Sequence, residues 1–447
     1  MRGFVCAGMV GLLVLAGCGG GGDSGGNVAA PASGYPSAPA SCDVSGQRAW
    51  LRDYMNDQYF WYDKQGVANA AATSMDSYFD ALLYQPTDRY SYSQTTASAN
   101  QFYAEGTRTG YGYALDWLDA ARTTLVVRLV EPLSPVGLAG LQRGDRIDRI
   151  DGKTSVEIAN GGLAAVDTAG VARSFVVHNA AGTQRSFTAQ SAVYALSPVN
   201  TVAVLTAPNG AKTGYLMYQE FIASGAVAMG AAFDRFRAAG VTELVLDLRY
   251  NGGGSTQQAR YLAGLIAGSA QIGKLFAQYQ FNAKHTASNF TQNFVGTSGG
   301  LPTAPLEGLS RVFVLTTPNT ASASELVINA LRPYMAVWTI GSLSYGKPYA
   351  FLPADACGTT YNAVNLVLAN AQNVSVPDNG IVASCSVADD VNHALGDPTE
   401  SLTAAALSFI ATGSCPAAAS VANSAKRQSG TPSLGFGDIS RPQMRVD

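Results

Sequence analysis

A continuous apolar run, Leu244-Val245-Leu246-Asp247-Leu248, passes through Gly252-Gly253-Gly254 into a helical stretch from Thr256 to Ile266. Val312 to Thr316 is a second such run, and a second helical stretch starts at Ser322 and reaches Leu331. Apolar runs without alternation are what strands look like when both faces are covered. Val202–Thr206 and Gly214–Tyr218 read as two strands upstream. Val227–Ala238 reads as a helix with Met229, Phe233 and Phe236 on one face. Strands alternating with helices in this way imply an α/β core. Such a core takes its ligands beyond the carboxyl ends of its strands. The two strand-to-helix junctions are therefore where chemistry is expected.

The rest of the 447-residue chain divides around that core. Residues 42–106 are expected to be helical, with Trp50, Tyr54, Tyr59, Phe60, Trp61, Tyr62, Tyr78, Phe79, Leu82 and Leu83 as packing groups. Residues 107–195 change character. Thr123–Val130 is strand-like, Ser134–Leu141 is a turn and short helix, and Gly144–Gly152 alternates up to a turn at Asp151-Gly152. The core follows over 196–412. Residues 413–447 lack periodic apolar groups and read as a disordered tail.

The beginning of the chain reads as an address rather than as fold. Arg2 precedes a short apolar stretch from Phe4 to Leu15, well under the roughly 20 residues of a membrane span. Leu15-Ala16-Gly17-Cys18 resembles a bacterial lipobox. Cleavage there removes residues 1–17 and leaves Cys18 as a lipidated N-terminus. Residues 18–41, rich in Gly, Ser, Pro and Ala, read as a flexible tether. With Gly19 after the cysteine, the expected location is a bacterial cell envelope, lipid-anchored at the outer membrane. Once Cys6 and Cys18 are set aside, Cys42, Cys357, Cys385 and Cys415 remain. An even number in an oxidising compartment suggests two disulfides. Of three possible pairings, Cys357–Cys385 and Cys42–Cys415 are the expected ones. Spacing gives no support for zinc. The net charge of −3 and dispersed basic residues argue against nucleic acid as a partner. No metal or cofactor is expected.

At the second junction stands Asn319-Thr320-Ala321-Ser322-Ala323-Ser324-Glu325, with Ser344-Tyr345-Gly346-Lys347-Pro348 downstream. A hydroxyl is a useful nucleophile only when a neighbour takes its proton. None of the three His lies in a catalytic-looking motif. A buried lysine can serve, because desolvation disfavours the ammonium and lowers its pKa. Ser322 is thus the candidate nucleophile and Lys347 its base. The N–H of Ala323 and one from the glycine turn would form an oxyanion hole. Arg249 and Glu325 read as structural, Glu325 suiting the first turn of a helix. Ser324 is a rival nucleophile and His393 a minor rival base. Asp397-Pro398 reads as the opening of a Leu402–Ile410 helix.

Taken together these motifs resemble the S41 peptidases, the C-terminal processing or tail-specific protease family, over roughly residues 45–411. Ser322 sits in the family's Ser-x-Ser-Glu block, Lys347 in its Gly-Lys turn, and Asp247-Leu248-Arg249-x-Asn251-x-Gly253-Gly254 in its second block, where the resemblance implies Gly253, or its neighbour Gly252, as the oxyanion glycine. The resemblance implies a multidomain α/β protein: an N-terminal helical region, a PDZ-like β domain and a ClpP/crotonase-like core. It also implies endopeptidase action on exported proteins. Many members carry a Gln where this chain has Phe351, which can desolvate Lys347 but cannot orient it by a hydrogen bond. Leu141-x-x-Gly144-Asp145-x-Ile147-x-x-Ile150-Asp151-Gly152 resembles a PDZ domain. That likeness places a peptide-carboxylate loop around Gly110, Tyr111, Gly112 and Tyr113. The competing reading is a silent enzyme of the same fold that binds peptides or hydrophobic ligands without turnover.

Overall fold

The structure, a computed structural model, describes residues 34–119, 121–298, 301–416 and 443–446. The signal stretch, Cys18 and most of the tether lie outside the described residues.

Asp43 starts the first helix, Val44–Gln58, by accepting the Gly46 N–H at 2.8 Å. Ser74 does the same for Met75–Leu82 through the Ser77 N–H. Trp50, Leu51, Tyr54, Met55, Tyr78 and Phe79 share one buried cluster with Phe351, Tyr361 and Val364 of the core. The helical region is therefore fused to the core. One strand interrupts it: Tyr92–Thr95 runs antiparallel to Thr359–Asn362, and helix Thr96–Tyr103 follows. The end of the expected tether is docked as well. Tyr35 packs edge-on against Trp50 and Tyr54, and Pro36 O accepts the Trp50 indole N–H at 2.8 Å. An aromatic ring beside an aromatic cluster outweighs the glycines around it.

Residues 113–190 form a five-stranded antiparallel sheet. An antiparallel pair, Thr107–Gly110 with Ala192–Ala195, closes the two ends of this domain onto each other. Val127, Ile147, Ile150, Phe175 and Val177 fill its interior. The Asp151-Gly152 turn has φ of 51° and 74°, the left-handed pair that a tight hairpin turn needs.

Two six-stranded sheets make the core. In the first, Lys212–Tyr218, Glu243–Asp247, Arg311–Thr316 and Ala336–Gly341 run parallel, flanked by antiparallel Val199–Thr206 and by parallel Cys385–Ser386. Helix Ser401–Thr412 covers one face through Leu402, Ala406 and Phe409 against Val245, Phe313 and Leu315. Helices Ala226–Ala239, Thr256–Ala267 and Ala323–Leu331 cover the other, over Leu244, Leu246, Val312 and Val314. Burial of both faces explains the unbroken apolar runs. The second sheet has the order Gly253–Ser255, Gln443–Arg445, Tyr349–Phe351, Val364–Ala369, Leu275–Phe281, Phe290–Asn293. Sequence reading did not anticipate it. It also departs from the expected disordered tail, because Gln443–Arg445 is one of its strands.

The disulfides correct the expected pairing. Cys42 joins Cys357 and Cys385 joins Cys415, each with Cα atoms 5.6 Å apart. Cys357 turns the hairpin that pairs with the N-terminal strand Tyr92–Thr95, which brings it to Cys42. Cys385 lies instead on the edge of the first sheet, beside the end of helix Ser401–Thr412 where Cys415 follows. The loop between Cys357 and Cys385 is short in sequence, but its ends belong to different sheets. Non-reducing peptide mapping is expected to recover Cys42 linked to Cys357. Replacing both with Ser should cost about 2–4 kcal/mol in chemical denaturation. Recovery of a Cys42–Cys415 peptide would contradict this arrangement.

Candidate active site

The two junctions are stitched to each other by short-range hydrogen bonds. Thr320 Oγ1 donates to Leu248 O at 2.8 Å, and Ala321 N–H to Asn251 O at 3.1 Å. Thr317 Oγ1 also donates to Arg249 O. Ser322 then takes φ 63° and ψ −115°, where a non-glycine residue is strained. It is fully buried, and its Oγ makes no hydrogen bond among the described residues. Its N–H donates to Glu325 Oε2 at 2.8 Å. Ala323 begins the helix, so its N–H belongs to the first turn, where no carbonyl of the helix can accept it. Ser324 Oγ is committed to Asn251 O at 2.9 Å, which weighs against Ser324 as nucleophile.

Lys347 comes to this point through the turn before it. Gly346 has φ 83°, and a Cβ there would lie 2.3 Å from Asp378 O. The Lys347 N–H donates to Glu325 Oε2 at 2.9 Å. That is the oxygen that also accepts the Ser322 N–H. Gly346 N–H and Ser344 Oγ–H occupy Glu325 Oε1 at 2.7 and 2.5 Å. One carboxylate thus holds both candidate residues by their backbones. Glu325 was read from sequence as a first-turn acid; the reach of its carboxylate to residues 344–347 is new. Burial raises its pKa, opposed by the hydrogen bonds from Ser344, Ser322, Lys347 and Gly346.

Lys347 is fully buried. Burial holds its pKa well below the ordinary value, against the opposing pull of Asp88 and Glu325. Its Nζ lies 3.6 Å from the centre of the Phe351 ring. An ammonium over an aromatic face gains about 0.5–2 kcal/mol. Full burial of a lysine disfavours its ammonium by more than that. Desolvation therefore wins, and Phe351 contributes to it.

The N-terminal region supplies groups that sequence reading missed. Tyr90 OH and an Arg89 guanidinium N–H donate to Gly346 O at 2.9 and 3.0 Å. Asp88 is buried, accepting from Tyr59 OH at 2.6 Å and from the Tyr90 and Ser91 N–H groups. No local signal marks Asp88-Arg89-Tyr90, which stand in a largely polar stretch from Gln85 to Thr96.

In the glycine turn, Gly253 and Gly254 have φ of 111° and 131°. A Cβ on Gly254 would lie 2.3 Å from Phe221 O, so this strand needs glycine. The Gly253 N–H donates to Asn251 Oδ1 at 2.8 Å. It is thus engaged within the turn rather than held open beside Ser322. Arg249 is fully buried, with Glu400 bidentate at 2.7 and 2.9 Å, Asp247 at 2.8 Å and Asp389 at 2.9 Å. It pins the strand end, as expected. Arg143, from the β domain, reaches the same cluster through Tyr250 OH at 2.8 Å and Asp389 at 3.3 Å. The late acidic segment corrects one expectation. Glu400, not Asp397, caps the last helix, accepting from Leu402 and Thr403 N–H at 3.2 and 2.9 Å. His393 pairs with Asp390 at 2.6 Å, in the loop that binds Arg143.

The expected peptide loop is Gly110–Tyr113. Gly112 has φ 84°, and a Cβ on it would collide with Ser134. Tyr111 and Tyr113 point their rings into the β-domain interior. Gly112 O and Tyr111 O accept the Glu131 and Val136 N–H groups at 2.9 and 3.2 Å.

Residues 212–355 match peptidase family S41, and residues 46–92 match the S41 N-terminal domain. Over these two stretches the chain is similar to the S41 peptidases. The N-terminal match includes Asp88, Arg89 and Tyr90, which hold the Lys347 turn. The chain is 28% identical over 226 residues to carboxyl-terminal-processing peptidase 1, chloroplastic, of Arabidopsis thaliana, covering 48% of the chain and 42% of that relative. It is 26% identical over 312 residues to the carboxyl-terminal-processing protease of a Picosynechococcus strain, covering 67% and 70%. The chain thus spans less than half of the first relative and about two thirds of the second. Its fold is similar to that of a Bacteroides fragilis protein described as an S41 protease, with TM-score 0.65 and 26% identity. That likeness covers 81% of this chain and 97% of the other.

Proposed function

We propose that this chain is a serine endopeptidase in which Ser322 is the nucleophile and Lys347 its general base. The observation that carries the reading is the shared oxygen of Glu325, which receives both backbone N–H groups at 2.8 and 2.9 Å. A buried hydroxyl without a hydrogen-bond partner and a desolvated lysine complete the support. Ser322 Oγ attacks the scissile carbonyl carbon as its proton passes to the neutral Nζ of Lys347. The Ala323 N–H and an N–H of the turn Gly252–Gly254 hold the oxyanion. Gly253 can take part once its N–H turns away from Asn251. The ammonium then protonates the leaving amine, the acyl–Ser322 ester forms, and water releases it by the reverse proton path.

Substrates in this reading are exported proteins with unstructured ends. The β domain acts as a PDZ module and engages their C-termini at Gly110–Tyr113. Two disulfides fit an oxidising compartment. Lipid on Cys18 tethers the enzyme in the cell envelope, at the outer membrane. Among the described residues, no helix is long and apolar enough to cross a membrane.

Phe351, standing where many members have Gln, is the one observation that favours a silent peptide binder. A single experiment separates the two. Wild type and Ser322→Ala are incubated with an unstructured protein. Cleavage by wild type alone is expected. Equal cleavage by both, or peptide binding with no turnover by either, would end the proteolytic reading.

A further inference from the structure

Strand Gln443–Arg445 lies between two strands that flank the candidate site. It is parallel to Gly253–Ser255, with Gly253 opposite Gln443 and Ser255 opposite Arg445. On its other side it is parallel to Tyr349–Phe351, with Phe351 opposite Arg445. Among the described residues, Gly253–Ser255 meets its sheet through this strand, while its other edge bridges Phe221. Without residues 443–446, two unpaired strand edges would face each other about 9–10 Å apart, the width of one inserted strand. Exposed edges of this kind recruit extended peptide.

Both edges border the chemistry. One carries the glycine turn whose backbone is the candidate oxyanion donor. The other carries Phe351, whose ring contacts Lys347 Nζ at 3.6 Å. A substrate carbonyl has to reach Ser322 and the glycine turn together. In the proteolytic reading, an extended backbone that does so would run along Gly253–Ser255, where Gln443–Arg445 now pairs.

The filling segment is anchored as a ligand would be. The Val446 N–H donates to Phe351 O at 3.0 Å. The Val446 side chain is buried in the cluster that includes Leu248, Ala323 and Ala350. The Arg445 guanidinium lies over the Tyr103 ring at 5.0 Å. Residues 417–442 connect this strand to the core and lie outside the described residues.

We propose that residues 443–446 are a pseudo-substrate of this chain's own, occupying the strand slot beside Ser322 and Lys347 and competing with incoming peptide. The proposal rests on the proteolytic reading for its meaning as inhibition, but not for the binding it describes. An occupied slot lowers apparent substrate affinity by the fraction of molecules in which it is open. Inhibition of this type raises KM and leaves kcat nearly unchanged.

Two full-length variants test it. Val446→Asp places a charge in the apolar pocket, and Val446→Pro removes the N–H that Phe351 accepts. Each is expected to lower KM for an unstructured protein about tenfold or more, with kcat within about twofold. An unchanged KM, or activity lost together with a fall in Tm, would make the strand a structural element and overturn the proposal. A second readout does not need turnover. A fluorescent peptide with the sequence of residues 440–447 is titrated, by anisotropy, into Ser322→Ala with and without Val446→Asp. Tight binding only to the chain carrying Val446→Asp is expected. No binding to either would overturn the proposal. Binding without any cleavage by wild type would sink the protease reading and leave the slot intact.

Discussion

Replacing Lys347 with Met should lower kcat on an unstructured protein by roughly 10⁴-fold or more, the scale seen when a nucleophile loses its base. The fold itself should gain. Lys347 is buried with a pKa well below its ordinary value, because burial disfavours the ammonium. Between that lowered pKa and the usual value near 10.4, the unfolded chain binds a proton that the folded chain does not. Stability from this group therefore rises with pH across that window and is lost as pH falls. Met removes the penalty while keeping the length and apolar body of the side chain. Lys347→Met is thus expected to raise Tm at neutral pH while abolishing activity. Wild-type kcat should climb with pH as the amine loses its proton, and then level off. A variant that loses both stability and activity would point to Lys347 as a structural group. A flat wild-type profile from pH 6 to 9, with chemistry limiting, would speak against lysine as the base.

Glu325→Ala should be the most damaging change outside the reacting pair. It leaves four donors without an acceptor: Ser322 N–H, Ser344 Oγ–H, Gly346 N–H and Lys347 N–H. Each unsatisfied buried group costs about 1–3 kcal/mol, less than additively where water enters. A loss of roughly 3–5 kcal/mol in urea unfolding is expected. Glu325→Gln keeps one oxygen acceptor but turns an NH₂ toward the donors. It should fold and lose about 100-fold in kcat with KM little changed, because Ser322 and Lys347 no longer share one anchor. If Glu325→Gln keeps wild-type kcat, the carboxylate is a helix-capping group and no more.

The parts of this architecture that were legible are those written in local pattern. Leu244–Leu246 and Val312–Leu315 are apolar throughout because helices cover both faces of their sheet. Their junctions end in the small residues that close approach requires. Ser322 and Lys347 stood out because a hydroxyl at a helix start and a lysine after a glycine turn make chemical sense as a pair. What escaped was long-range. Ser-x-x-Glu at 322–325 is a recognisable capping pattern, but nothing local says that the carboxylate also reaches residues 344–347. Asp88, Arg89 and Tyr90 act on Gly346 and Lys347 across most of the chain. The second sheet is built of short strands such as Tyr349–Phe351, too brief to show a period. Cys357 and Cys385 are near in sequence but sit in different sheets, so loop length misled the pairing. Gln443–Arg445 has no apolar alternation, because its place comes from two waiting strand edges rather than from its own side chains.

The most direct test of the central claim is covalent labelling of the nucleophile. Wild type and Lys347→Met are treated with a small fluorophosphonate across pH 6 to 9, and the modified residue is located by peptide mass mapping. A serine activated by a neutral amine gives an adduct on Ser322 whose rate rises with pH in wild type and collapses in Lys347→Met. An adduct on Ser324 or elsewhere, or a Ser322 rate that Lys347→Met leaves untouched, would contradict it.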